Sequence, residues 1–344
     1  QRWNVSRVQE MKWLFYGCHS LSSIEPLGAW KTDRLNNLYR TFAECRSLTD
    51  LSPLSGWNVS NVTDMSWTFH DCRNVSDLTP LSNWNTSNVK SLDYTFYQDS
   101  SITSLQPLAS WNTGNVSTMK GTFRGDSSLV SLKGLEKWDT SNVVYMGDPN
   151  EAPHGTFAEC SKLSDISAVS GWNTGKVTIM RDLFNGCTSL QDINALAQWN
   201  TASLVRIDGA FMSTGISNVN GLSKWNTSKV NDMTATFHNC RSLSDISGLT
   251  EWNTSSLVRA YNLFYRNSSL KSIDALNNWD MSKVTGMSNM FYSCTSLEDT
   301  SAISHWDLSS VKDSASSTVF RDCPRLELVG VPTVDHNGAW LLSK

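Results

Sequence analysis

Every phenylalanine in this chain occupies the same place in a repeating unit, and this regularity constrains the fold more than any other feature. Twelve tryptophans form a series whose successive spacings are 27, 27, 27, 27, 27, 34, 27, 26, 27, 27 and 27 residues. Ten of the twelve phenylalanines follow a tryptophan of the series by twelve residues; the other two, Phe157 and Phe320, come later because their units carry insertions. A fixed period of this size is typical of a solenoid, in which each unit buries its apolar face against its neighbours.

Positions within a unit are counted from the tryptophan, which is position 0. Apolar residues recur at positions 5, 8 and 12, and this spacing of three and four predicts one or two helical turns. The Ser-Leu-x-x-Leu/Ile segment that follows, such as Ser47 to Leu51, predicts a short strand at positions 18 to 21. The predicted fold is an α/β repeat solenoid of about twelve coils, each with one short parallel strand and a short helical turn in about 27 residues.

The repeat also predicts the domain organisation. We expect a single solenoid over residues 1–329, interrupted by an insertion loop at 147–155. Residues 330–344 depart from the pattern and are expected to form a C-terminal cap or the start of a following segment. The chain begins inside a repeat with Gln1-Arg2-Trp3 and lacks an initiating methionine, so we expect a removed upstream segment or a fragment of a longer protein.

The cysteines share a single column, three positions after the phenylalanine. The column holds Cys18, Cys45, Cys72, Cys160, Cys187, Cys240, Cys294 and Cys323, and the other four units place Asp99, Asp126, Thr214 and Asn267 there. Cys, Asp, Asn and Thr share a small side chain that can hydrogen-bond with the backbone, and we interpret this as the role of the column. Structural free thiols are therefore favoured over disulfides, which an even cysteine count would otherwise suggest. Metal binding has the least support, because no CxxC spacing is present.

Composition and motifs exclude several classes of function. The net charge is −4, only 17% of residues are charged, and no basic block occurs, so a nucleic-acid partner is not expected. No apolar run approaches eighteen residues, so no membrane span is expected in this segment. No GxSxG, HExxH, P-loop or GxGxxG motif is present, and the six histidines share no constellation with a nucleophile. We therefore expect no enzyme, no cofactor and no metal site.

Two kinds of candidate site remain on the surface. The insertion carries Pro149 and Pro153, which predict an exposed loop, and its polar residues form a candidate contact site: Asp148, Asn150, Glu151 and His154. Asn-x-Ser/Thr sequons provide candidate N-glycosylation sites at Asn4, Asn58, Asn61, Asn74, Asn85, Asn115, Asn226 and Asn253. Most sequons arise because the turn after each tryptophan uses Asn-Thr-Ser, so a purely structural role is the alternative.

The stretches WNVSNVTDMSWTFHDC (57–72) and WDMSKVTGMSNMFYSC (279–294) show the unit well. The unit resembles the BspA-like leucine-rich repeats, most closely the bacterial surface protein 26-residue repeat type, over nearly the whole chain. The resemblance implies a leucine-rich-repeat-like coil with one strand and one short helix. It also implies an extracellular or cell-surface protein used for adhesion or binding.

The expected function is therefore non-catalytic contact with other proteins or with surface glycans. An alternative is a structural subunit that pairs with itself end to end in a filament or surface coat, with glycosylation as an added possibility. Terminal coils expose unpaired backbone groups and apolar surface, and this is the physical basis of the alternative.

Overall fold

The computed structural model of the protein describes residues 3–151, 153–312 and 318–327. The chain divides into two compact units, Gln1–Lys176 and Val177–Lys344. Within each unit, successive repeats stack as the coils of a solenoid, in agreement with the period. The single solenoid over 1–329 stays a prediction, and the segment 330–344 lies outside the described residues.

The core of each unit is built from stacked aromatic columns. Phe96, for example, is fully buried, and its ring centroid lies 5.7 Å from that of Phe69 and 5.7 Å from that of Phe123. In the next column, the rings of Trp84 and Trp111 stack at 6.5 Å, and their indole N–H groups donate to the carbonyls of Leu54 and Leu81. The columns therefore bury large rings while also satisfying the indole donors.

A ladder of backbone hydrogen bonds joins the coils along positions 7 to 14. The N–H groups at positions 8, 10, 12 and 14 each donate to a carbonyl of the next coil, as in the pairs Leu38–Asp64 (2.9 Å), Arg40–Ser66 (3.0 Å), Phe42–Thr68 (2.9 Å) and Glu44–His70 (2.6 Å). The N–H groups at positions 11, 13 and 15 instead bond within their own coil, as Thr41 does to Leu38 at 3.0 Å. We call positions 7 to 14 of the coils the ladder segment.

The ladder segment corrects the predicted helix. Its apolar residues are spaced by three and four, but the backbone at positions 10 and 14 is left-handed, as at Trp67 (φ 60°) and Asp71 (φ 59°). Each left-handed residue breaks the helical sense of the preceding turn, so the segment is a series of hydrogen-bonded turns that offers every second N–H to the neighbouring coil. The spacing of apolar residues does not indicate which residues adopt a left-handed backbone, and for this reason the pattern predicted a helix.

The predicted strand at positions 18 to 21 is also wrong, since no strand occurs in the parts of the chain that the structure describes. The parallel pairing there consists of isolated bridges, Ser131–Asp165, Asn218–Asp245 and Asp299–Glu327. More bridges join residues at position 7, in the ladder segment, such as Asn37–Asp64 and Asp64–Ser91. The pairing that holds the coils together therefore lies mainly in the segment predicted to be helical.

Short 3₁₀ helices follow the Ser-Leu-x-x-Leu/Ile segment, directly after the positions where the pattern predicted a strand. In unit Gln1–Lys176 they span Glu25–Ala29, Ser52–Leu54, Thr79–Leu81, Gln106–Leu108 and Ser167–Val169. In unit Val177–Lys344 they span Asn194–Leu196, Asn220–Leu222, Ser247–Leu249, Asp274–Leu276 and Ser301–Ile303. The prolines of the early coils lie in the first turn of these helices, where a missing N–H costs nothing.

The cysteine column serves the stacking of the coils. None of the eight cysteines forms a disulfide, and all but Cys18 are buried. The Cys72 thiol donates to the carbonyl of Phe42 in the preceding coil at 3.2 Å, and Cys160 does the same to Phe123 at 3.0 Å. The column thus uses a small polar group to hydrogen-bond backbone, as its composition predicts.

A second polar column lies one residue before the phenylalanine and was not predicted. The Thr95 hydroxyl is fully buried and lies 2.8 Å from the carbonyl oxygen of Leu92 and 3.1 Å from that of Met65. We expect Thr95→Val to lower the free energy of unfolding by about 1–2 kcal/mol, because the shape is kept and a buried hydrogen bond is lost. Urea unfolding measures this loss, and Thr63→Val, at an exposed site, is the control. An equal loss in both variants would contradict the buried role.

Candidate binding surface

One face of unit Gln1–Lys176 carries aromatic and cationic side chains on the ladder segment. They lie at positions 9, 10 and 13 of neighbouring coils, and we call them the aromatic–cation face: Trp13, Tyr16, Tyr39, Arg40, Trp67, His70, Tyr94, Tyr97 and Arg124. Trp13 and Tyr16 are 45% and 41% exposed. None of these residues occupies a core column of the repeat, although the side chains of Tyr94 and Arg124 are buried.

The position-10 side chains stack in a row along the coils. The guanidinium carbon of Arg40 lies 4.6 Å from the ring centroid of Trp13 and 4.5 Å from that of Trp67, so the cation is held between two indoles. The rings of Trp67 and Tyr94 stack at 4.2 Å. The row ends at Gly121, whose backbone is left-handed (φ 55°) and lies against the Tyr94 ring, leaving no room for a Cβ atom.

The position-13 side chains form a second row beside the first. The rings of His70 and Tyr97 stack at 4.6 Å, and the guanidinium carbon of Arg124 lies 4.6 Å from the Tyr97 centroid. Arg124 also donates to the Tyr97 hydroxyl at 2.9 Å. An edge contact between Trp67 and His70, with centroids 5.0 Å apart, joins the rows. Burial lowers the pKa of His70, so its ring is neutral at neutral pH.

Arg40 is an uncompensated cation on this face. Its Nε is buried without a hydrogen-bond partner, and among the described residues its guanidinium forms no ion pair. The Glu44 carboxylate on this face is instead 3.6 Å from Arg46 and accepts a hydrogen bond from the Tyr16 hydroxyl.

In the other unit Arg181 lies 2.8 Å from Asp208 and Arg259 lies 2.9 Å from Asp232, whereas the guanidinium carbon of Arg266 lies 5.2 Å from the Tyr265 ring centroid. The two units therefore differ at position 10, whereas position 13 of the other unit also carries a stacked row, formed by His238, Tyr265 and Tyr292.

The predicted contact loop divides into a packed part and an exposed part. The Tyr94 hydroxyl donates to Asp148 at 3.1 Å, and the same carboxylate lies 3.5 Å from the Lys120 ammonium. His154 packs edge-on against Tyr94 with centroids 5.4 Å apart; burial, with the nearby Arg124 charge, lowers its pKa. Asn150 and Glu151 are exposed. The loop therefore borders the aromatic–cation face, and its role in contact stays a prediction.

The candidate glycosylation residues are all exposed, and they fall into two groups. The side-chain carbonyl accepts the backbone N–H two residues on at Asn4, Asn58, Asn85, Asn226 and Asn253. The side-chain amide instead donates to a carbonyl of the preceding coil at Asn61, Asn74 and Asn115. Both groups have a structural role in turns or stacking, and glycosylation stays a prediction.

No group of three or more His, Cys, Asp or Glu side chains in residues 3–151, 153–312 and 318–327 could hold a metal ion. Within the same residues, no helix combines the length and the apolar character needed to cross a membrane.

A family model matches the chain in overlapping segments, at residues 1–104, 72–150, 91–217, 151–271 and 206–327. Its description is "Mycoplasma protein of unknown function, DUF285", and the segments together span residues 1–327. This chain belongs to the DUF285 family. The finer resemblance of the repeats to the BspA-like type is not confirmed by this match. No curated relative matches the DUF285 chain significantly.

Solved structures similar to the DUF285 chain include leucine-rich-repeat proteins of bacteria. An internalin (inlF) from Listeria monocytogenes is 16% identical with a TM-score of 0.49, and the match covers 94% of this chain and 81% of that one. A leucine-rich repeat protein from Bacteroides ovatus is 19% identical with a TM-score of 0.45, over 86% and 69% of the two chains. A leucine rich cell surface protein from Faecalibacterium prausnitzii is 18% identical with a TM-score of 0.43, over 96% and 78%. All three TM-scores are below 0.5, so the likeness carries no argument about function.

Proposed function

We propose that this chain is a non-catalytic, extracellular or cell-surface binding protein that contacts another protein through the aromatic–cation face. Trp, Tyr and Arg are the residue types that dominate the energetics of protein interfaces. The face brings them together in two adjoining rows on a scaffold whose backbone is held by the inter-coil ladder. A rigid scaffold of this kind limits the ordering cost of binding.

The observation that carries the proposal is the choice of side chains at a left-handed backbone position. At position 10, Trp13, Arg40, Trp67 and Tyr94 have φ values of 61°, 54°, 60° and 55°. Bulky residues are disfavoured in this region by about 1–2 kcal/mol each, and glycine or asparagine fit it better. The other unit mostly uses small residues there: Asp182, Gly209, Ala235, Asn262 and Asn289. Strained backbone that persists on a surface is characteristic of functional sites.

The chemistry of the face indicates what a protein partner would offer. The Arg40 guanidinium lies between two indole ring faces and forms no ion pair within the described part of the chain. A carboxylate of the bound protein could therefore accept a charge-assisted hydrogen bond from it. The exposed rings of Trp13 and Tyr16 provide apolar area beside this cation. A surface glycan is the alternative ligand. No observation in the described parts of the chain favours the end-to-end filament, and we do not propose it.

We expect Arg40→Gln to weaken binding of a protein partner by about tenfold or more, because hot-spot side chains of this kind contribute about 2 kcal/mol or more. The immobilised full chain is exposed to cell-surface and matrix protein extracts, and each captured protein is then titrated against wild type and variant. Deglycosylation of the captured partner separates a protein contact from a glycan contact.

The matched control is Lys224→Gln, which removes one positive charge from an exposed site on the other unit. We expect its affinities to equal those of wild type, and thermal unfolding checks that both variants are folded. Partners that bind the Arg40 variant and wild type equally would overturn the assignment of the face. Failure to capture any partner would count against a binding function altogether.

A further inference from the structure

Two carboxyl groups lie in the cysteine column of unit Gln1–Lys176, in coils that follow one another. Asp99 and Asp126 are both fully buried. The N–H of Cys72 donates to Asp99 Oδ1 at 2.7 Å, and the N–H of Asp99 donates to Asp126 Oδ1 at 3.0 Å. The second oxygen of each carboxyl group, Oδ2, is buried without a hydrogen-bond partner. The two groups therefore form a continuous buried column with Cys72.

Among the residues that the structure describes, no cation compensates this pair. The column neighbours of Asp99 and Asp126 are the thiols of Cys72 and Cys160. Burial, with the nearby Asp71 carboxylate, raises the pKa of Asp99. Asp71 itself is engaged by Arg46 at 2.7 Å and by Arg73. An ionised Asp99 or Asp126 would thus be a buried charge beside like charges, which is strongly unfavourable. Burial raises the pKa of both carboxyl groups, and the charge of Asp99 raises that of Asp126 further.

We infer that Asp99 and Asp126 are held as neutral carboxylic acids in the folded unit and form a pH-sensitive switch that tightens the coil stack in acid and loosens it as pH rises. In the neutral state each Oδ2 carries a proton. The O–H group then offers the donor that a cysteine thiol offers elsewhere in the column, where the acceptor is a phenylalanine carbonyl of the preceding coil. A neutral acid is therefore a chemical equivalent of the thiol, and an ionised one is not.

The direction of the pH effect follows from proton counting. An aspartate in the unfolded chain ionises near pH 3.9, whereas the folded groups stay protonated to higher pH. The stabilisation that the two protonated groups give to the folded state is complete below the pKa that they have in the unfolded chain. It is lost progressively as pH rises from about 4 through the pKa that they have in the folded chain. While both groups stay neutral in the fold, unfolding releases two protons, so the unfolding constant rises by about a hundredfold per pH unit from this pair.

The test compares the full chain with Asp99→Asn/Asp126→Asn, which keeps the shape and removes the titration. The unfolding constant of the unit is measured in urea between pH 5 and pH 8 by hydrogen exchange of peptides that contain the ladder N–H groups of Phe96 and Gln98. We expect the unfolding constant of wild type to rise steeply with pH. In the double variant the unfolding constant should rise less, by up to about a hundredfold less per pH unit. Asp33→Asn, at an exposed carboxylate, should leave the wild-type slope unchanged.

A second measurement on wild type alone keeps the test decisive if the double variant does not fold. Infrared spectroscopy separates the carbonyl band of a protonated carboxyl group from the bands of carboxylates. We expect the folded chain to retain a protonated carboxyl band at pH 7 that is lost on unfolding in urea. Absence of that band, or the same pH slope in wild type and the double variant, would overturn the inference.

Discussion

Replacing Phe96 by alanine is expected to lower the free energy of unfolding by about 3–5 kcal/mol, the cost of deleting a large buried ring. Phe96 is fully buried, and its ring lies between those of Phe69 and Phe123 while also contacting Trp111 at 6.0 Å between centroids. The ladder bonds hold the neighbouring coils at a fixed spacing, so they cannot collapse into the cavity. Urea unfolding followed by tryptophan fluorescence measures the loss.

The control for Phe96→Ala is Glu151→Ala in the insertion loop. The Glu151 side chain is 76% exposed, and its contact is with His154, 3.6 Å between Oε2 and Nε2. Exposed ion pairs of this kind contribute about 0–1 kcal/mol to the free energy of unfolding, so we expect almost no change in the midpoint of urea unfolding. Similar losses at the two sites would mean that the phenylalanine column does not form the core.

Gly248→Ala is expected to cost about 2–3 kcal/mol, because the added methyl group would overlap backbone of the preceding coil. A Cβ atom at Gly248 would lie 2.4 Å from the Val219 carbonyl oxygen. A backbone oxygen held in a packed coil cannot move aside as the end of a flexible side chain can, so the two coils must separate locally. Urea unfolding with hydrogen exchange around Val219 measures both the loss and its location.

The comparison for Gly248→Ala is Gly171→Ala, at an exposed glycine with no heavy atom within 4 Å of the added Cβ. Substitution there restricts the unfolded chain, and we expect a gain of about 0.4–1 kcal/mol. The two variants therefore make the same chemical change with opposite expected signs. A gain at both sites would contradict the close approach of the coils at Gly248.

The core was predictable from the sequence and the backbone was not. A period of Trp, Val, Met and Phe identifies the buried columns, because burial depends on side-chain type and spacing. Strand and helix depend on the hand of the backbone, and at position 10 non-glycine residues such as Trp67 adopt the left-handed region against their preference. Tertiary hydrogen bonding between coils outweighs that local preference. The spacing of apolar residues along the sequence does not reveal this hydrogen bonding or the left-handed backbone that it imposes.

The candidate site was predicted only in part. The insertion was identified, but the sequence does not show that Asp148 and His154 fold back onto Tyr94. The aromatic–cation face was missed, although a signal was present: Trp13 and Trp67 lie outside the tryptophan column and outside every core position. Large aromatic residues that a repeat does not need for its core are the feature to look for in such arrays.

By itself the sequence determined the repeat period, the core columns and the absence of the common catalytic motifs, because each follows from residue type and spacing along one chain. Only the tertiary structure decided which segment pairs between coils, that Oδ2 of Asp99 and of Asp126 is buried without a hydrogen-bond partner, and that a Cβ atom at Gly248 would overlap a carbonyl oxygen. The physical reason is that these properties depend on the distance between neighbouring coils. That distance is set by many ring contacts and ladder bonds together, and no single unit encodes it.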